Sequence, residues 1–267
     1  MSNKIIYFLL LSIVVMSCSK DDVTKLEEKS TFVSIASVQT NGGQFTVELL
    51  AADTLFEGFN KLYFDIKNAD QSKVSSANIM LNPMMHMTMK SHSAPKENPA
   101  STPNNDGYYE GAVVFIMPSN PDEGWTLTIA IESEGVKDTA KLVIPVVRNL
   151  DEKKKINIIS PIDETKYFVS ILEPSSPIVG INNFEVTVHY KASMMSFPAA
   201  EDLTISIEPE MPSMDHGSPN NQDPLHSLMG HYNGKVNFTM TGWWRVNVTI
   251  KKGEDVISDD AYFDITF

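Results

Sequence analysis

The chain has 267 residues and a formal net charge of -13, from 34 acidic against 21 basic side chains. That balance argues against nucleic acid, which is held by Lys and Arg neutralising phosphates, and favours cationic ligands only weakly. Cys18 is the only cysteine, so no intramolecular disulfide can form.

Residues 1–17 predict a signal peptide. Lys4 supplies the positive charge, and the apolar run from Ile5 to Met16 is too short for the ~20 residues that span a bilayer. The run closes on Val15-Met16-Ser17-Cys18, which resembles a bacterial lipobox and implies lipidation at Cys18. The following Ser19-Lys20-Asp21-Asp22 resembles the acidic export tag of Bacteroidetes lipoproteins. That resemblance implies an outer-membrane anchor, facing the periplasm or the cell surface. An ordinary secreted protein with a stray cysteine is the alternative. Several acyl chains on one cysteine would hold stably, and residues 18–30 read as a polar tether behind them.

From Thr31 onward, period-two alternation dominates. Phe45-Val47-Leu49, Leu62-Phe64-Ile66, Val113-Phe115-Met117, Leu127-Ile129-Ile131 and Leu142-Ile144-Val146 read as short strands separated by Gly, Pro, Asn and Asp. The charged run from Arg148 to Lys155 then marks a boundary. Beyond it, Phe184-Val186-Val188, Leu203-Ile205-Ile207, Val236-Phe238-Met240, Val246-Val248-Ile250 and Tyr262-Asp264-Thr266 read as strands again. No helix is expected outside the signal. The expected organisation is a first β-sandwich over 31–148, a linker over 149–155 and a second β-sandwich over 156–267, both immunoglobulin-like.

The two halves align. Tyr109-Glu110-Gly111-Ala112-Val113-Val114-Phe115-Ile116-Met117 matches Tyr232-Asn233-Gly234-Lys235-Val236-Asn237-Phe238-Thr239-Met240, and Trp125 matches Trp244. Each half also carries a cluster of methionine and histidine. The first is Met84-Met85-His86-Met87-Thr88-Met89 with His92, and the second is Met211-Pro212-Ser213-Met214-Asp215-His216 with His226, Met229 and His231. Five of the six histidines fall in these two segments. Thioether sulfur and imidazole nitrogen together suit copper, above all Cu(I).

Taken as a strand, the first cluster projects Met85, Met87 and Met89 from one face, where they could converge on one soft ion with His92 folding back. His86 would lie on the opposite face. The competing reading is that the methionine face fills the core. In the second cluster Pro212 interrupts the strand, and closure of the loop would bring Met211, Met214 and His216 near Met229 and His231. Against this, a lone histidine in such a loop is usually a solvated residue. Met117 and Met240 share the period of Phe115 and Phe238 and read as core. His189 reads as structural, Trp125, Trp243 and Trp244 as core or rim aromatics, and Met194-Met195 has no assigned partner.

The segment Met211-Pro212-Ser213-Met214-Asp215-His216-Gly217 followed by Tyr232, Gly234, Phe238, Met240, Gly242, Trp243 and Trp244 resembles the YtkA-like and FixH-like domains. The resemblance covers residues 180–252 and, more loosely, 55–135, where the first half has Pro-Met-Met-His-Met-Thr-Met in place of the motif and lacks a glycine after His92. It implies small exported or membrane-tethered β-sandwich domains, many of them linked with copper handling or oxidase assembly.

No hydrolase, phosphate-loop or dinucleotide motif occurs, and a lipidated Cys18 cannot act as a nucleophile, so no enzymatic activity is expected. The expectation is a lipid-anchored envelope protein that binds copper, for buffering or for exchange with a metal-donating or metal-accepting protein. The competing expectation is a structural or adhesive module whose soft methionine loops bind a protein or glycan. An oxidase assembly role rests on family analogy alone.

Overall fold

A computed structural model describes residues 32–150, 153–161 and 165–267. The expected signal peptide, Cys18 lipidation and tether lie outside the described residues, as do Asp151 and Glu152 of the expected linker.

The first half contains β1 (Val33–Gln39), β2 (Phe45–Ala51), β3 (Gly58–Asn68), β4 (Asn78–His86), β5 (Ser91–His92), β6 (Lys96–Glu97), β7 (Tyr109–Phe115), β8 (Gly124–Ser133) and β9 (Val136–Ile144). The second contains β10 (Ile156–Ile159), β11 (Tyr167–Glu173), β12 (Gly180–Tyr190), β13 (Thr204–Met211), β14 (His216–Gly217), β15 (Gln222–His226), β16 (His231–Phe238), β17 (Trp243–Lys252) and β18 (Asp255–Thr266). Among the described residues there is no α-helix. The fold is all-β, two tandem immunoglobulin-like sandwiches. The first pairs a sheet ordered β1-β2-β3-β7-β6 with one ordered β5-β4-β8-β9. The second has the same orders with every strand number raised by nine, β10-β11-β12-β16-β15 and β14-β13-β17-β18.

Alternation dictates what each sheet buries. Val47, Leu49, Leu62, Phe64, Leu127 and Ile129 point inward and are sealed from solvent in the first sandwich, as are Phe184, Val186, Val188, Val246 and Val248 in the second. Each such side chain contributes roughly 1.5–3 kcal/mol relative to leaving it exposed. The aromatic residues that recur in both halves take the same places. Trp125 with Tyr109, and Trp244 with Tyr232, are among the largest fully buried side chains. Each tyrosine hydroxyl, taken from water, donates to a carbonyl in its own half: Tyr109 Oη to Val74 O at 3.1 Å and Tyr232 Oη to Ala200 O at 2.8 Å.

The recurrent glycine also has a structural cause. A Cβ on Gly111 would lie 2.9 Å from Glu97 O, and one on Gly234 would collide with Gln222 O. The short edge strands β6 and β15 can therefore close over β7 and β16 only where the crossing residue lacks a side chain.

The sandwiches touch through a third, smaller apolar cluster, in which Val114, Phe59 and Ile116 of the first meet Ile156, Phe168 and Phe197 of the second. Thr31–Phe267 accordingly forms one compact unit.

Candidate functional site

The two methionine–histidine segments occupy equivalent places in the two sandwiches. In the first, Met85 stands opposite His92 across the β4–β5 ladder. In the second, Met211 stands opposite His216 across β13–β14.

β4 ends at His86, and with it the alternation that would have aligned three thioethers. The chain turns instead, with Met87 N–H donating to Lys90 O at 3.0 Å. Met85 is fully buried in the core, Met87 packs partly buried against it, and Met89 is 92% exposed. Met85, Met87 and Met89 therefore do not project from one face. His86 points to the outer face, with its Nε2 3.0 Å from Thr126 Oγ1.

His92 is buried, at 6% exposure. Its Nδ1 lies 2.7 Å from Ser93 O. A carbonyl can only accept, so Nδ1 carries the proton and the neutral ring offers a lone pair at Nε2. That nitrogen faces Met117 Sδ at 3.3 Å. Burial pushes the imidazole below its ordinary pKa of 6.5, against the Ser93 hydrogen bond and with help from Lys191 and Lys90. Two Lewis bases thus face each other with no proton between them. Their arrangement is held from behind by Trp125. Its Nε1–H donates to Met117 O at 2.9 Å, and its ring meets His92 edge-on at 5.5 Å.

Sequence periodicity assigned Met117 to the core with Phe115. β7 stops at Phe115, so Met117 lies beyond the strand, half-buried against the core rim with its sulfur at the tip. The signal that could have found it was its recurrence as Met240 in the other half.

In the second sandwich, Trp244 Nε1–H donates to Met240 O at 3.0 Å, the same bond as Trp125 makes to Met117. Met211 is buried, and its Cε lies where a Cβ on Gly242 would come within 2.7 Å. Gly242, at φ +134, makes room for that methyl group. His216 is exposed, with Nε2 3.3 Å from Thr239 Oγ1 and its ring 6.2 Å from Trp244. Met211, His216, Met240 and Trp244 repeat the first half's frame, in a more open form.

Met214 is 58% exposed, on the turn closed by its own N–H to Met211 O at 3.0 Å. Met229 and His231 do not join this group. They sit at the start of β16, whereas Met240 follows its far end. Seven residue steps of extended strand at ~3.4 Å each put His231 roughly 24 Å away. His231 has another engagement: Nδ1 is 2.6 Å from Glu185 Oε1, and Nε2 is 2.8 Å from Glu97 Oε1 of the first sandwich. Burial alone would lower its pKa, but the hydrogen bonds it donates to Glu185 and Glu97 outweigh that and raise it to about 9. His226 packs on Tyr232 with ring centroids 5.2 Å apart. Among the described residues, no three His, Cys, Asp or Glu side chains are grouped to hold a metal ion.

Residues 163–249, within the second half, match the family model described as YtkA-like. No curated protein matches the chain. Among solved structures, domains 5–6 of the S-layer protein SbsC resemble 88% of this chain over 98% of their own, at 12% identity and a TM-score of 0.30. A titin fragment resembles 79% of this chain over 90% of its own, at 8% identity and a TM-score of 0.21.

Proposed function

We propose that this protein binds a soft metal ion, Cu(I) foremost, through a methionine–histidine pair at the tip of each sandwich, and that it does so as a lipid-anchored protein of the cell envelope. One observation carries this reading: the neutral His92 presents its Nε2 lone pair to Met117 Sδ at 3.3 Å, both free of a proton. Sulfur and imidazole are a donor set that Cu(I) selects. The equivalent frame of Met211, His216, Met240 and Trp244 supports a second centre, and the alignment of the halves supports a duplicated YtkA-like unit. The role is to buffer the ion or pass it to a metal-accepting protein.

The chain's own residues account for capture across a range of pH. Thioethers carry no proton to lose. Imidazole must be neutral to bind, and burial keeps His92 neutral below the usual histidine range.

The test is a titration of the whole chain with Cu(I) against a competing chelator. One or two tight equivalents are expected, with the first lost on Met117→Leu or His92→Gln and the second on Met240→Leu. Absence of competition at micromolar protein would sink the proposal.

A second reading, a module that binds a protein or glycan, draws on a different surface. Arg245 lies 3.9 Å over the Tyr262 ring and 5.5 Å from the Trp243 ring, and Trp243 is 38% exposed. That face offers an aromatic platform beside fixed charges. Binding to it would survive Met117→Leu and fail on Trp243→Ala.

A further inference from the structure

The first of the two tips is not built by its own sandwich alone. The segment from Ser91 to Glu97, which carries His92, is held by the second sandwich at two points. Ser93 N–H donates to Met194 O at 2.8 Å, and Glu97 Oε1 meets His231 Nε2 at 2.8 Å. The same segment is tied back to its own sandwich by Ser93 Oγ, which donates to Pro83 O at 2.9 Å, and by Lys96 Nζ, which donates to Leu81 O. His92 therefore sits in a strap with both neighbours and both sandwiches accounted for.

Met194 lies on a turn that closes on itself. Ala192 N–H and Ser193 N–H donate to Ser196 O at 3.0 and 3.1 Å, and Met195 N–H donates to Ser193 Oγ at 3.1 Å. Such a turn needs no methionine for its shape, yet it carries two. They differ in surroundings: Met195 is 57% exposed, whereas Met194 is half-buried. The hydrogen bond from Ser93 N–H to Met194 O thus seats this turn against the residue that follows His92.

We propose that Met194 supplies a further thioether to the centre formed by His92 and Met117, so that this centre is shared between the two sandwiches. The proposal rests on the soft-metal reading above. Nε2 and Sδ approach an ion from the first sandwich only, and a thioether from the second closes a side they leave open. Methionine suits the task, because three rotatable bonds let its sulfur adjust to a partner near its own backbone. The consequence is an asymmetry between the tips. The first is covered, with His92 at 6% exposure, and the second is open, with His216 exposed. The covered centre retains its ion longer, and the open one exchanges it. An ion in the covered centre also joins the two sandwiches and stabilises their contact by mass action.

The test uses the whole chain labelled with ¹³C at its methionine methyl groups and titrated with Cu(I) against a competing chelator without oxygen. The Met117 and Met194 methyl signals should shift together with the first equivalent, while that of Met195 stays in place. Met194→Leu should weaken the first centre by about tenfold or more and leave the second unchanged, and Met195→Leu should change neither. The methyl signals of the unaltered chain report directly, so a variant that folds poorly does not decide the matter. If Met117 shifts while Met194 does not, and Met194→Leu binds like the parent, the shared centre is overturned and the soft-metal reading stands. If no methionine signal moves, the soft-metal reading falls and the shared centre falls with it.

Discussion

Met89 lies three residues from His92 in sequence and Met117 lies 25, yet it is the Met117 sulfur that meets the imidazole. Met89 is 92% exposed on a turn. Met89→Ser should therefore leave both the unfolding free energy, within about 0.5 kcal/mol, and the Cu(I) affinity of the chain unchanged. Met117 is held through its carbonyl by Trp125 Nε1–H at 2.9 Å. Trp125→Phe keeps an aromatic ring in the core but leaves that carbonyl without its donor, at about 1–3 kcal/mol. It should also weaken the first centre while sparing the second, because Met240 has its own donor in Trp244. Denaturant unfolding and chelator competition on the same variant separate the two effects. A loss of affinity no greater at the first centre than at the second would contradict the positioning role of Trp125.

At the scale of the strand, the recurrent features are those that let a short edge strand lie across a longer one. Gly111 under β6 and Gly234 under β15 have backbone carbonyls where a side chain would begin. Gly111→Ala and Gly234→Ala should each destabilise the fold by about 1–3 kcal/mol, the cost of forcing extra volume into a packed site. Of the two, Gly111→Ala should also disturb the proposed first metal centre, because Glu97 belongs to the strap that carries His92. Chelator competition on both variants would show it, and equal affinity at the first tip in parent and Gly111→Ala would refute that coupling. Strand existence was legible from alternation alone. Strand ends were not: β4 stops at His86 and β7 at Phe115. Those two endings are what removed Met89 from the tip and delivered Met117 to it.

Across the whole molecule, two histidines at the contact between the sandwiches give stability opposite dependences on pH. His231, between Glu185 and Glu97, is raised to about 9. Its contribution is complete below the unfolded value of 6.5, declines as pH rises above it and is gone once pH passes about 9. His189 is lowered to about 4 by burial, against the pull of Glu97 and with the repulsion of His231. It costs nothing above 6.5 and destabilises increasingly as pH falls from 6.5 towards 4. Stability should therefore peak near pH 6.5, and Glu97→Gln should flatten the alkaline side. Chemical denaturation between pH 4 and pH 10 (about the span of both shifts) would measure it. A parent and a Glu97→Gln chain with parallel alkaline profiles would contradict the role given to His231.

The amino-acid order by itself determined that this is an all-β chain of two like halves with a core set by period-two alternation, because side-chain direction in a strand follows from backbone geometry one residue at a time. It also singled out the methionine and histidine clusters of each half. Which of them meet was decided only by the tertiary structure. His92 finds Met117 rather than Met89, and His231 finds Glu97 of the other sandwich rather than Met211, because such meetings depend on where strands end and on which sheet a loop returns to. Those are matters of packing between segments far apart in the chain, and local pattern carries no record of them.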